Sequence, residues 1–344
     1  MGSNQSASLL GVFCLALLGC NTVPAEFSQV TAFKPVESGF THQWHEQAHP
    51  FTTASVIDID GDGIQEIFVG GGQDQADVLL RYDGQALRNV IDGRGLSDKH
   101  ATYASAAIDI DNDGDTDLVV GRSDGLSLYL NEAGKFSRKP VDAEFPPGSV
   151  PLAITLSDID HDGDADMYIS MFVDPENFRS PVFNDPDHAK PNLLLLNEGS
   201  LKFRDITTSS GTAGKQNTFL SIFSDLDNDG WQDLLLAQNT GEVEIFRNNR
   251  DLTFSPMNTA SGFGFWMGIA LGDIDNDGDQ DMLFTNAGSS IPAFLTRGDL
   301  QEHQQQNLDW ALWRNDGGFN FTDITTEFGI CLLYTSPSPR DRYI

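Results

Sequence analysis

The chain has 344 residues and a formal net charge of −31, from 20 Lys and Arg against 51 Asp and Glu. Acid in that excess repels phosphate backbones and excludes nucleic acid as a partner class. A hydrophobic content of 39% with 23 Phe excludes an acidic disordered chain, and the length suits two average domains or one large repeat architecture.

At the N-terminus, residues 1–19 read as a signal peptide of lipoprotein type. The apolar run Leu9–Leu18 is too short to span a bilayer but suits a secretory signal. It ends in Leu17-Leu18-Gly19-Cys20, which resembles the lipobox of bacterial lipoproteins. Cys20 is therefore the expected lipidation site, and the expected location is extracytoplasmic, anchored by lipid to the bacterial outer membrane. No Lys or Arg precedes Lys34, so the basic start usual in such signals is missing. An ordinary periplasmic or secreted signal is the alternative. Residues 20–26 form a linker. Cys14, Cys20 and Cys331 all fall outside Asn21–Ile330, so disulfides staple nothing in the body.

Five acidic loops follow, opening at Asp58, Asp109, Asp158, Asp225 and Asp273, with spacings of 51, 49, 67 and 48 residues. A period near 50 marks a repeat architecture of stacked supersecondary units. Each loop reads Asp-x-Asp-x-Asp-Gly-x-x-Asp/Glu, the pattern of a hard-cation site. Carboxylates at positions 1, 3, 5 and 9 and a backbone carbonyl at 7 supply oxygen, and Gly at 6 takes the sharp turn. The expected ligands are Asp58, Asp60, Asp62, Ile64 and Glu66 in loop 1, and Asp109, Asp111, Asp113, Asp115 and Asp117 in loop 2. Loop 3 supplies Asp158, Asp160, Asp162, Asp164 and Asp166, and loop 4 supplies Asp225, Asp227, Asp229, Trp231 and Asp233. Loop 5 supplies Asp273, Asp275, Asp277, Asp279 and Asp281. Flexible all-oxygen coordination suits Ca²⁺ better than Mg²⁺, and the lack of thiols or regularly placed His argues against Zn²⁺.

These are not EF-hands. Position 12 is apolar in every copy (Val69, Val120, Ile169, Leu236 and Phe284), and short strand-like runs flank the loops. A second hairpin signal recurs over Leu128–Phe136, Leu194–Phe203, Ile245–Phe254 and Leu312–Phe321: an apolar strand, an Asn/Gly/Asp turn, an aromatic strand. Two hairpins per period give four strands, the content of one β-propeller blade. Between loops 3 and 4 the long spacing holds an insertion of about 18 residues around Asp174–Pro191, expected as an ordered loop on one rim. Phe263, Phe265 and Trp266 precede loop 5 and are expected in the core between blades, with sugar stacking by Trp266 as the alternative.

The loops and hairpins together resemble FG-GAP/VCBS repeats, those of integrin α-subunit propellers. Within that group, residues 27–330 are most similar to bacterial relatives of the cartilage acidic protein family. The resemblance implies an all-β propeller of about seven blades, of which five are present here. After Phe321 a sixth loop is due near residues 340–343, but Pro337 and Pro339 interrupt the strand that should precede it. Residues 331–344 look like translated sequencing-adapter read-through, so the natural sequence is expected to depart near Ile330.

The expected function is that of a calcium-binding interaction scaffold, with structural Ca²⁺ at five sites and a protein or glycan partner. It is expected to touch membrane only through its lipid anchor, and to be monomeric when complete. No nucleophile elbow, Ser/His/Asp set or phosphate-cradling loop appears, and the carboxylates that pair up are absorbed by the loops. The alternatives are a carbohydrate-binding propeller, or the non-catalytic part of a larger enzyme such as a lyase.

Overall fold

The computed structural model describes residues 36–43, 51–174, 177–179, 181–185, 187–214, 216–288 and 296–330. The signal with Cys20, the linker and the tail from Cys331 lie outside the described residues. Among the described residues, twenty strands follow one another in groups of four, each group a meander of antiparallel neighbours. Blade 1 is β1 (Ala54–Ile57), β2 (Glu66–Val69), β3 (Val78–Tyr82) and β4 (Leu87–Asn89). Blade 2 is β5 (Thr102–Ile108), β6 (Asp117–Arg122), β7 (Gly125–Glu132) and β8 (Lys135–Pro140). Blade 3 is β9 (Ser149–Ser157), β10 (Asp166–Val173), β11 (Leu193–Asn197) and β12 (Phe203–Asp205). Blade 4 is β13 (Asn217–Ser224), β14 (Asp233–Gly241), β15 (Glu244–Asn248) and β16 (Phe254–Met257). Blade 5 is β17 (Gly264–Gly272), β18 (Asp281–Asn286), β19 (Ala311–Asn315) and β20 (Phe321–Asp323). The fold is the expected all-β propeller of four-stranded blades. Every acidic loop joins a first strand to a second.

The cores lie between blades, not within them. In β6, Leu118 and Val120 pack toward blade 1 with Phe68 and Leu79, while Val119 packs toward blade 3 with Met167 and Ile169. In β14, Leu234 and Leu236 join blade 3, while Leu235 and Ala237 join blade 5. Alternate side chains of a strand leave opposite faces, so a second strand buried on both sides must be apolar throughout. That is why β6, β10 and β14 read as continuous buried runs.

Two features depart from the simple repeat. First, β14 is nine residues long but pairs with β15 only over Leu234–Leu236. Its free far end pairs with β17 through Asn239–Phe265 and Gly241–Gly264, fusing blades 4 and 5 into one eight-stranded sheet. Second, the first strands of blades 2 to 5 each bulge by one residue against their partners, at Tyr103, Leu152, Phe219 and Met267. Three of those side chains, Tyr103, Leu152 and Phe219, gather with Phe51, Phe172 and Phe178 in one apolar cluster. It sits at the end of the first strands away from the acidic loops.

The insertion is held by blade 5. Phe183 is buried against Phe265 and Leu300, its N–H donates to Asp299 Oδ1 at 2.6 Å, and the Asn184 N–H donates to Asp299 Oδ2 at 3.0 Å. Gly298 has φ +51°, and a Cβ there would meet Pro181 O at 2.3 Å.

Candidate metal centres

Each loop is curled by two residues with positive φ. Position 6 is always Gly (Gly63, Gly114, Gly163, Gly230 and Gly278, φ 82–97°), and position 4 is Gly61, Asn112, His161, Asn228 or Asn276 (φ 55–68°). Gly takes this region freely and Asn or His tolerates it. The position 1 carboxylate is fixed first: its Oδ2 accepts the Gly N–H of position 6 at 2.8–3.1 Å in all five loops. Oδ1 of position 5 accepts the N–H of position 7 at 2.8–2.9 Å.

The ninth residue opens the second strand and is almost wholly buried: Glu66, Asp117, Asp166, Asp233 and Asp281 are at most 1% exposed. One of its oxygens accepts the N–H of position 2 at 2.7–3.2 Å, from Ile59, Ile110, Ile159, Leu226 and Ile274. In loops 2 to 5 the other accepts the backbone N–H of an Asn on the third strand, from Asn131, Asn197, Asn248 and Asn315, at 2.7–2.9 Å. Even so, burial pushes Asp117 up to about 6, and Asp166 and Asp233 up to about 7. Burial and then a neighbouring carboxylate also raise Asp111, Asp160, Asp227 and Asp275. A buried carboxylate with like charges around it is short of a cation.

The carboxylates converge. Ligand atoms of Asp58, Asp60 and Asp62 lie within 4.8 Å of one another, as do those of Asp225, Asp227 and Asp229. In loops 2, 3 and 5 the converging set is positions 1, 3 and 9: Asp109, Asp111 and Asp117, then Asp158, Asp160 and Asp166, then Asp273, Asp275 and Asp281. Each group can hold a metal ion. The donors are all oxygen, and loops 2, 3 and 5 bring the buried ninth carboxylate into the group, so the residues fit a hard divalent cation. The side chains of position 7 face elsewhere, which leaves that position only its carbonyl to offer. Asp115 Oδ2 accepts the Ala133 N–H at 3.0 Å, and Ile64 is exposed.

Sequence reasoning missed a rim of contacts between successive loops. Asn112 at position 4 of loop 2 donates through Nδ2 to Asp164 Oδ1 at position 7 of loop 3, at 3.0 Å. His161 stacks on Trp231 between loops 3 and 4, ring centroids 4.1 Å apart. Asn228 Nδ2 donates to Asp279 Oδ1 between loops 4 and 5 at 2.5 Å. The third-strand Asn, read from sequence as turn chemistry, forms a second link. Nδ2 of Asn131, Asn248 and Asn315 donates to the position 2 carbonyl of the preceding loop, Ile59, Ile159 and Leu226, at 2.8–3.0 Å. Its signal was the fixed place of Asn in the recurring hairpin. The sugar-stacking alternative for Trp266 meets a correction: the indole is 0% exposed, packs on Phe284 and donates to Gly262 O.

A model of the FG-GAP-like repeat matches residues 58–120, 109–169 and 225–284, half of the chain, and every acidic loop falls inside a matched stretch. No curated protein matches the chain. Among solved structures, an Agrocybe aegerita lectin that recognises non-reducing terminal N-acetylglucosamine is 18% identical, with 84% of this chain and 68% of the lectin covered and a TM-score of 0.48. The V. cholerae biofilm matrix protein Bap1 is 17% identical, over 78% of this chain and 38% of its own, with a TM-score of 0.41.

Proposed function

The chain belongs to the FG-GAP-like repeat family, and from that premise we propose that it is a calcium-dependent β-propeller scaffold rather than an enzyme. One observation carries the reading: five times, carboxylates close around a common point while the ninth is buried in the sheet. Ca²⁺ at that point ties the first hairpin of a blade together, and the Asn links pass the constraint to the next blade. In a body without disulfides the metal is the staple. Leu17-Leu18-Gly19-Cys20 supports export and lipid attachment at Cys20, into surroundings where extracellular-type sites of Kd about 10⁻⁴–10⁻³ M fill. The partner, a protein or a glycan, is read by the paired excursions of blades 3 and 5, which Phe183 and Asp299 lock together.

Thermal unfolding in millimolar Ca²⁺ against excess EDTA tests the staple. Each site held at about 1–10 times its Kd adds about 0.4–1.4 kcal/mol, so several sites together shift Tm by about 4–15 °C. The same Tm in both buffers would remove the calcium reading.

A further inference from the structure

The five loops are not equivalent, and the difference lies in what stands opposite the ninth residue. In blades 2 and 3 the third-strand residue before the Asn is Leu (Leu130 and Leu196), in blades 4 and 5 it is Arg (Arg247 and Arg314), and in blade 1 Arg81 stands before Tyr82. Of these arginines, Arg81 is the one that pairs with the ninth residue of its loop. The β2–β3 register sets it directly across from Glu66. Its Nη1 lies 2.8 Å from Glu66 Oε1 and 3.3 Å from Asp60 Oδ2, and its Nη2 pairs with Asp62. Three of the four side-chain ligands of loop 1 thus share one guanidinium; the fourth, Asp58, accepts the Gly63 N–H through Oδ2 and keeps Oδ1 buried without a partner.

The other arginines stop short. Arg247 and Arg250 reach only positions 3 and 5 of loop 4, Asp227 and Asp229, from exposed positions, and Asp233 keeps both backbone donors. Arg314 turns to Asp316 at 2.7 Å and stays 4.0 Å from Asp275. Blade 1 also lacks the Asn: Tyr82 stands in its place and is 49% exposed. The Glu66 oxygen that would accept an Asn N–H accepts Arg81 instead. Glu, one methylene longer than the Asp of the other loops, still reaches the Ile59 N–H, at 3.2 Å.

Resting on the calcium reading above, we propose that loop 1 carries its cation in the chain: Arg81 neutralises Asp60, Asp62 and Glu66, and loop 1 takes no Ca²⁺ while loops 2 to 5 do. A guanidinium keeps its charge at every pH at which the protein folds, so no proton loss clears the site for a metal. Loop 1 is then a permanently closed hairpin that holds its shape when calcium is scarce, and the metal-dependent loops begin at blade 2.

The test counts Ca²⁺ bound to the full chain by native mass spectrometry after calcium removal and retitration. The wild type is expected to hold four ions, Asp58→Asn to leave that number unchanged, and Asp109→Asn to lower it by one. Arg81→Leu is expected to add one, and Arg81→Leu with Asp58→Asn to take it away again. Five ions in the wild type with one lost in Asp58→Asn, or no gain in Arg81→Leu, overturns the assignment of Arg81. No ion in the wild type overturns the calcium reading itself. Should Arg81→Leu fail to fold, Asp58→Asn still decides.

Discussion

Arg122 is the largest charged side chain wholly buried among the described residues, lodged in the apolar interface between blades 1 and 2. Its Nη2 meets Asp77 Oδ2 at 2.6 Å, its Nε donates to Thr102 Oγ1 at 3.0 Å, and its Nη1 donates to the Tyr129 hydroxyl at 2.7 Å. Asp77 in turn accepts the Gly71 N–H and the Thr102 hydroxyl, both at 2.8 Å. Burial drives the Asp77 carboxyl up, and the Arg122 charge opposes it. Burying both ions costs desolvation, so the pair as a whole adds little stability; breaking it is what costs. Arg122→Leu strands Asp77 and is expected to lose about 3–5 kcal/mol in denaturant unfolding at saturating Ca²⁺. Adding Asp77→Asn is expected to recover part of that loss. A single variant within about 1 kcal/mol of wild type would show that water reaches Asp77.

The acidic loop is the element on which the blades turn, and position 4 is where its handedness and its contact with the next loop meet. Asn228 holds φ 55° and donates to Asp279 of loop 5. Asn228→Gly keeps the backbone and removes the contact, at an expected cost of about 0.5–1.5 kcal/mol. Asn228→Ala removes the contact and adds left-handed strain, so it is expected to cost about 1–2 kcal/mol more than the Gly variant. Equal losses in thermal melts of the two would mean that loop 4 relaxes its curl. Much of this element was legible, because Asp at 1, 3 and 5, Gly at 6 and an acid at 9 are each demanded by local chemistry. The left-handed position 4 was also written in the chain, as Gly61, Asn112, His161, Asn228 and Asn276, but its use as a bridge needed the neighbouring blade in place. The bulges had a quieter signal: Tyr103, Leu152, Phe219 and Met267 each stand six residues ahead of an acidic loop. The β14–β17 pairing and the reach of Arg81 had none. They follow from strand length and cross-strand register, which tertiary structure sets. The blade 1 hairpin also went unread, since Tyr82-Asp83-Gly84 replaces the Asn signature and the Asp83 carboxylate makes the turn by accepting the Gln85 and Ala86 N–H groups.

At the scale of the molecule, stability is a sum over neighbouring interfaces, since the four main cores each join two successive blades. The second strands β6, β10 and β14 are buried on both faces, whereas β4, β12 and β20 are three-residue edges with two exposed positions each. The longer edge β8 is guarded by Lys135, Arg138 and Lys139 instead. Opening free energies should therefore rise from rim to centre within every blade. They should also rise along the chain from blade 1, whose β2 is only half buried, to blades 2–4. Hydrogen exchange in saturating Ca²⁺ is expected to protect 117–122, 166–173 and 233–241 at least about 100-fold longer than 87–89, 203–205 and 321–323. In EDTA the gradient should steepen. On the calcium reading the edges and loops 2 to 5 are expected to open first, their carboxylates having lost the proposed cation, while the doubly buried strands keep their interfaces until a whole blade separates. Uniform exchange across all twenty strands, with or without Ca²⁺, would mean that the propeller opens as one cooperative body and that its blades have no stability of their own to rank.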